Sequence, residues 1–196
     1  PTRKGAVGTG ELNELLQAHL NPPSPTKKEK KTGIFSFREG DRVMQIRNNY
    51  DIIWKRVNGL GAGTGIFNGD IGHITALDFS EETATIVFDD REAVYGFDML
   101  GELEPAYAMT VHKSQGSEFE AVIIPLLGKF EKLSYRNLLY TAVTRAKRLL
   151  ILIGSPTKVE QMVSNNRRTN RYSCLKHMLE MSMQTGDDNE MDKLFT

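Results

Sequence analysis

The 196-residue chain has one cysteine, one tryptophan and no excess charge, its 25 Lys and Arg matched by 25 Asp and Glu. Cys174 alone excludes an internal disulfide framework, and four scattered histidines with one cysteine do not make a zinc site. A reducing, cytoplasmic setting is the expectation. Net neutrality excludes a bulk field that draws the chain to a polyanion, so any anionic ligand must be held by local clusters. No run of about 18 apolar residues is present, which excludes a hydrophobic spanning helix. The N-terminus has neither a signal-like apolar stretch nor an initiator Met, and the chain starts at Pro1 as if cut from something longer. A G-x-x-x-x-G-K-S/T loop is absent, and no acidic metal-holding motif stands out at a strand end. Such a chain cannot cradle ATP phosphates and magnesium by itself.

What is present, including 39% hydrophobic residues, suffices for one full domain, or one domain with a small insert. Residues 9–20 read as an amphipathic helix, with Thr9 as N-cap, Leu12, Leu15, Leu16 and Leu20 at helical spacing, and Asn21-Pro22-Pro23 as the stop. "SPTKKEKKTG" (24–33) reads as a solvated linker. From about 36 to 105 short β segments are punctuated by Gly, Asn and Asp: "DRVMQIR", "GHITALDF", "TATIVFDD" and "EAVYGFDML". Thr83 to Phe88 alternates, and Asp89-Asp90-Arg91 sits where a hairpin turns. This predicts a small antiparallel barrel inserted into a larger α/β domain, with "GLGAGTGIFNGDIG" (59–72) as a mobile hairpin loop. After residue 105, "AYAMTV", "AVIIPLL" and "LLILI", with a helix from Ser134 to about Lys147, predict a parallel sheet covered on both faces. A polar helical tail follows, and residues 184–196 read as frayed.

Two clusters could carry chemistry. Thr110, His112, Lys113, Ser114, Gln115 and Gly116 follow "AYAM" directly, so the expected parallel sheet places them beyond the carboxyl end of a strand, where ligands collect. Ser, Thr, Gln and Lys bond phosphate and sugar oxygens, and Gly116 lets a backbone approach closely. The competing reading is a polar loop that caps a short helix. On the second helix, about 100° per residue groups Thr141, Arg145 and Arg148 on one flank of a stripe of Leu138, Leu139, Ala142, Val143 and Ala146. Arg145 can then point a rigid charged fork at a transferring phosphoryl group, or simply complement the helix dipole. Arg3 and Lys4 lie among glycines ahead of the first helix, where an anion or a plain turn would fit. Trp54 and Tyr50 are suited either to the core or to base stacking.

"YAMTVHKSQGSEFEAVII" (107–124) and "LLYTAVTRAKRLLILIG" (138–154) resemble motifs V and VI of superfamily 1 helicases, most closely the RecD-like branch. "PTRKGAVGTGELNELLQ" resembles that branch's motif IV region, and "GDRVMQIRNNYD" with "GIFNGDIG" its SH3-like insertion. The resemblance implies a RecA-like second motor domain, with a parallel sheet and helices on both faces, built from 1–35 and 106–196. It implies an SH3-like β-barrel insertion at 36–105. It further implies a bacterial ATP-dependent DNA helicase, 5′ to 3′ in polarity, with ATP and Mg2+ held in the cleft against a first motor domain. Arg145 matches the motif VI arginine that acts as a finger on the γ-phosphate, and Arg3 a second phosphate contact. Gly116 and Glu118 match positions facing the nucleotide, with Gln115 linking it to the DNA side. Thr110, His112, Lys113 and Ser114 match that DNA side, to which Arg47, Asn48 and Asn49 of the insert would add. Single-stranded DNA, ATP and the missing motor domain are the implied partners, with a recombination or repair assembly also compatible. The rival reading is a degenerate RecA-like module that binds nucleic acid or protein without hydrolysis.

Overall fold

The computed structural model describes residues 7–127, 134–166, 174–175 and 178–181. The chain divides into Pro1–Asn165 and Asn166–Thr196. Of the second unit the described part is a helical turn, in which Met178 N–H donates to Cys174 O at 2.9 Å. The predicted frayed end, 184–196, lies outside the described residues, as do Arg3 and Lys4.

The first unit opens with α1 (Thr9–Leu20), then β1 (Glu29–Thr32), β2 (Phe35–Arg38), β3 (Arg42–Gln45), β4 (Asn49–Arg56), β5 (Ala62–Ile66), β6 (Ile71–Asp78), β7 (Thr83–Phe88) and β8 (Arg91–Gly96). A 3-10 helix, Phe97–Glu102, leads into β9 (Leu103–Pro105), β10 (Phe119–Pro125), α2 (Arg136–Val143), β11 (Ala146–Ile153) and α3 (Pro156–Ser164). Seven strands form one antiparallel sheet in the order β5-β4-β8-β7-β6-β3-β9. Its curled inner face buries Val43, Ile52, Ile66, Ile74, Leu77, Ile86, Phe88 and Tyr95 with Leu100 and Leu103. Strand β7 alternates half-buried and buried as its sequence does, and Asp89-Asp90 makes the turn into β8, Asp89 with φ 54°.

The fold is mixed α/β, and of the expected parallel sheet with helices on both faces the described residues show a small, two-stranded part. Among the described residues the parallel pairing is β10 with β11 alone. "AYAM" is not a strand: past the single backbone bond from Ala106 N–H to Arg42 O, side chains hold Tyr107 and Ala108. Much of the pair's apolar surface is bare, with Ile123, Leu149, Ile151 and Ile153 all exposed. No helix of the described residues is long and apolar enough to cross a membrane.

Three further expectations change for local reasons. The charged stretch read as a linker contributes β1, whose Glu29–Thr32 pairs with Phe35–Arg38, because Glu29 reaches Arg38 at 2.6 Å and also accepts from Ser36. The glycine-rich segment is not one loop: its middle, Ala62–Ile66, is strand β5, with turns on either side. A Cβ on Gly63 would stand 2.5 Å from the Trp54 ring, so glycine lets that ring lie across β5. Trp54 accordingly packs on the core instead of forming an outer platform.

The third concerns α1. Its cap position is Gly8, and Thr9 is the first helical residue. The leucines expected inside divide: Leu12 and Leu16 are half-buried, whereas Leu15 is 57% and Leu20 68% exposed. The buried stripe is Thr9 and Asn13 with half-buried Gln17, four residues apart and so on one face. Asn13 exchanges two hydrogen bonds with the backbone of Ala108, and Gln17 donates to Ser36 O at 2.8 Å and Asp41 Oδ2 at 2.5 Å. Asn21 donates to Glu39 O at 3.1 Å and Asp41 Oδ1 at 2.6 Å. At about 1 kcal/mol net for each bond these amides equal what two or three buried leucines would supply. Helical spacing of leucine does not choose the inner face when a polar stripe is better matched to the surface below.

Asp41, 1% exposed, is the common acceptor. Besides Gln17 and Asn21 it receives Arg38 N–H at 2.7 Å and Tyr107 O–H at 2.9 Å. Burial, then the charge of Asp41, pushes the Tyr107 phenol up to about 12. A raised phenol keeps its proton when the unfolded chain has lost it, so its contribution is complete below pH 10 and disappears as pH rises towards 12. Tyr107→Phe should therefore flatten the alkaline part of the stability profile between those values, read by chemical unfolding against pH. An unaltered slope would detach Tyr107 from Asp41. Gly72 lies against the β7 backbone, where a Cβ would meet Val87 O at 2.7 Å and Phe88 Cδ1 at 2.8 Å. Gly72→Ala should lower unfolding free energy by about 1–3 kcal/mol through overpacking, measured by denaturant titration.

Candidate functional site

Residues 110–117 form a run of tight turns between β9 and β10. Ser114 N–H donates to Thr110 O at 3.2 Å, Gln115 N–H to His112 O at 3.3 Å and Ser117 N–H to Ser114 O at 3.2 Å. Thr110 Oγ1 accepts the Lys113 N–H at 3.3 Å, and Ser114, only 7% exposed, gives its hydroxyl to Val111 O at 2.9 Å. The polarity of this stretch thus has two uses: Thr110 and Ser114 tie the turn internally, while His112, Gln115 and Gly116 are exposed. Gly116 has φ 86°, in the left-handed region that favours glycine, and a Cβ there would meet nothing within 4 Å. Its backbone is open to a ligand.

Lys113 is half-buried and its ammonium meets Glu104 at 2.5 Å. The lysine of the turn is thereby tied to β9, the last strand of the antiparallel sheet. Asn49 lies near the other side of that strand's start, donating to Glu102 Oε2 at 3.0 Å. Gln45 donates to the same oxygen at 2.9 Å and accepts from Tyr95 O–H at 3.1 Å. Burial, then the charge of Glu102, pushes the Tyr95 phenol up.

Helix α2 stops at Val143, short of the expected Lys147, because Thr144 and Arg145 turn the chain into β11. Leu139 and Ala142 are the buried part of its apolar stripe, and Ala146 belongs to the strand. Arg145 therefore sits at the helix–strand corner. Its Nε donates to Thr141 O at 3.2 Å, one terminal nitrogen to Ser117 O at 3.0 Å and the other to Thr144 Oγ1 at 3.4 Å. A guanidinium has five N–H groups, so two remain without a partner among the described residues. The Arg145 carbonyl also receives Phe119 N–H at 2.8 Å. Thr141 and Arg145 meet as the spacing predicts. Arg148 does not join them; it is carried on β11, faces solvent and approaches Glu120 at 3.9 Å.

The geometry thus brings Gly116, Ser117 and Glu118 to the corner that carries Arg145, with Lys147 3.6 Å from Glu118. That pair is exposed and contributes at most about 1 kcal/mol, so an arriving anion can exchange with it. Unpartnered guanidinium N–H groups beside an open glycine backbone fit a phosphate. Among the described residues no three His, Cys, Asp or Glu side chains gather to hold a metal. Arg47, Asn48 and Asn49 lie elsewhere, at the β3–β4 connection. Arg47 is exposed, Asn48 receives Asn68 N–H at 3.0 Å, and Asn49 is turned towards Glu102. Tyr50 is exposed there and packs edge-on against Phe67 at 5.6 Å. The sequence reading passed over Asn13, Asp41, Glu104 and Tyr107; the only trace of the first was the polar Thr9-Asn13-Gln17 spacing.

Comparison with known proteins agrees with these two regions. The family model of the ATP-dependent RecD-like DNA helicase SH3 domain matches residues 12–88, and that of the UvrD-like helicase C-terminal domain residues 105–153. The ATP-dependent RecD2 DNA helicase of Deinococcus radiodurans is 30% identical over 178 residues, 91% of this chain and 22% of that protein. The RecBCD enzyme subunit RecD of Mycobacterium tuberculosis is 36% identical over 118 residues, 60% of this chain and 20% of that protein. The Pif1 helicase of Candida albicans is among the solved structures that resemble it, at 13% identity and TM-score 0.46, over 91% of this chain and 48% of that one. The chain spans about a fifth of the length of the curated relatives named here. Carrying the RecD-like SH3 domain and the UvrD-like C-terminal segment in succession, it belongs to the RecD-like helicases.

Proposed function

We propose that the chain is the C-terminal motor half of an ATP-dependent DNA helicase that couples hydrolysis to 5′ to 3′ movement along single-stranded DNA and to duplex unwinding. In this reading 1–35 and 106–196 belong to the motor domain, and 36–105 is its inserted barrel. The observation that carries it is the bond from Arg145 to Ser117 O, 3.0 Å long, which joins the corner after α2 to the turn before β10. One side of that junction has cationic N–H groups to spare, and the other has the exposed amide and backbone of Gln115 and Gly116.

The roles follow from the atoms. Arg145, always charged and half-buried, stabilises charge developing on a transferring phosphoryl group presented from an opposing domain. Gly116 admits the nucleotide close to the backbone, Glu118 flanks it, and Gln115 lies between nucleotide and DNA. Arg3 is a second phosphate contact. Thr110, His112, Lys113 and Ser114 form the DNA side, with Thr110 and Ser114 shaping the turn and His112 and Lys113 meeting the strand. Arg47, Asn48 and Asn49 extend the footprint. Mg2+, which the described residues have no cluster to hold, is assigned with the phosphate-gripping loop to the first motor domain of the same polypeptide. The cytoplasm is the matching compartment, and recombination or repair the matching process.

Joined to that domain, the chain should show DNA-stimulated ATP hydrolysis. Arg145→Ala should lower turnover by about 10³-fold or more, equivalent to about 4 kcal/mol of transition-state stabilisation, with ATP binding by equilibrium titration nearly unchanged. Wild-type turnover in that variant removes Arg145 from the mechanism. Single-strand affinity should fall with salt, with a slope near −0.7 for each phosphate neutralised. Arg47→Gln should reduce that slope by one such step; an identical slope takes Arg47 out of the DNA footprint.

A further inference from the structure

The four residues between β9 and the polar turn, 106–109, form no strand of their own, yet they are fixed at successive points. Ala106 N–H donates to Arg42 O at 2.8 Å, and the Tyr107 hydroxyl to Asp41 Oδ1 at 2.9 Å. Ala108 is held by both its backbone groups: its N–H donates to Asn13 Oδ1 at 2.8 Å, and its carbonyl accepts from Asn13 Nδ2 at 2.9 Å. Asn13 is 8% exposed and lies 95 residues earlier in the chain. Its amide does for Ala108 what an adjacent strand would do, supplying one donor and one acceptor in register.

A leucine at position 13 would hold α1 to the surface about as well, since two net hydrogen bonds and one buried leucine are each of the order of 2 kcal/mol. What leucine lacks is direction. The two bonds fix where Ala108 stands along its own axis, and Thr110, two residues on, is the acceptor for both Lys113 N–H and Ser114 N–H. Sliding Ala108 moves the first residue of the turn, and the turn with it. On its far side the turn is held by Lys113 on Glu104 and by the Ser117 carbonyl on Arg145.

We propose that Asn13 is a positioning residue: from α1 it sets the register of the strandless segment 106–110, and so the placement of Thr110, His112 and Lys113 against single-stranded DNA. This rests on the helicase reading for its ligand, but not for its geometry, and the test separates the two. In the intact enzyme that carries this chain, DNA-stimulated ATP turnover is titrated with an oligothymidylate for wild type, Asn13→Leu, Asn13→Asp and Tyr107→Phe. Asn13→Leu should raise the half-saturating DNA concentration about tenfold, the equivalent of two lost hydrogen bonds of modest net strength, with less than about a twofold change in turnover at saturation. Asn13→Asp, which keeps the acceptor for Ala108 N–H and loses the donor, should fall between. Hydrogen exchange on the same proteins should show faster exchange across 108–116 in Asn13→Leu, whereas loosened packing alone would speed exchange throughout α1.

A folded Asn13→Leu enzyme with wild-type half-saturation and wild-type exchange at 108–116 overturns the inference. If wild type itself shows no DNA-stimulated turnover, the helicase reading fails instead, and exchange at 108–116 alone decides the role of Asn13. Should Asn13→Leu not fold, Asn13→Asp and Tyr107→Phe decide the matter by the same two readouts. Wild-type values in both then count against it.

Discussion

A buried carboxyl group, that of Asp41, is the constraint on which the rest of the arrangement depends. Out of water its lone pairs must be filled, and leaving a buried polar group unmatched costs about 1–3 kcal/mol or more. The donors come from α1, from Asn21 beyond its end, from the β2–β3 turn and from the segment after β9. Three pieces of chain, the 17–21 end of α1, the 38–41 turn itself and Tyr107, are brought to one point by the demand of one side chain. Apolar contact would bring them near one another without choosing an angle, whereas hydrogen bonds have direction.

From that point order passes to the polar turn by two routes. The apolar core of the antiparallel sheet fixes β3 and β9, and β9 presents Glu104 to Lys113. The far end of the turn is set by parallel pairing, Phe119 opposite Ala146, with the Arg145 side chain closing over Ser117. The tip at Gln115 and Gly116 stays exposed between these supports. In the proposed reading this suits a segment that must feel two ligands: rigid ends convert a small displacement at the tip into strain instead of dissipating it.

Much of the antiparallel part was readable from the chain. Alternation over Thr83–Phe88 and the Asp89-Asp90 turn directly state a hairpin, because one face is buried and the other only half-buried. Glycine misled in the middle of 59–72, where Gly63 marks the space needed by the Trp54 ring in β5, while Gly59 and Gly69 do stand in turns. Lysine misled at 27–31, since β1 is held by Glu29 on Arg38 and Ser36, and no apolar periodicity announces that. On α1 the leucines marked the inner face only in part, Leu12 and Leu16 being half-buried and Leu15 and Leu20 exposed, while the fully buried positions are the polar Thr9 and Asn13. Of the expected parallel sheet the described residues form β10 and β11, because a strand exists only where another backbone completes it. At the candidate site, residue types in 110–118 and at Arg145 were legible from chemistry and from the helicase resemblance. Their supports were not, for Asn13 and Ala108 are 95 residues apart and only the folded chain makes them neighbours.

Strands β10 and β11 have a further consequence. Two parallel β-rich segments whose Ile123, Leu149, Ile151 and Ile153 stand in water present both greasy faces and unfilled backbone edges. Exposed apolar faces and open strand edges in general favour the addition of a further strand or helix. An apolar surface of this kind, spread over β10 and β11, acts on solubility alongside the balanced charge of the chain.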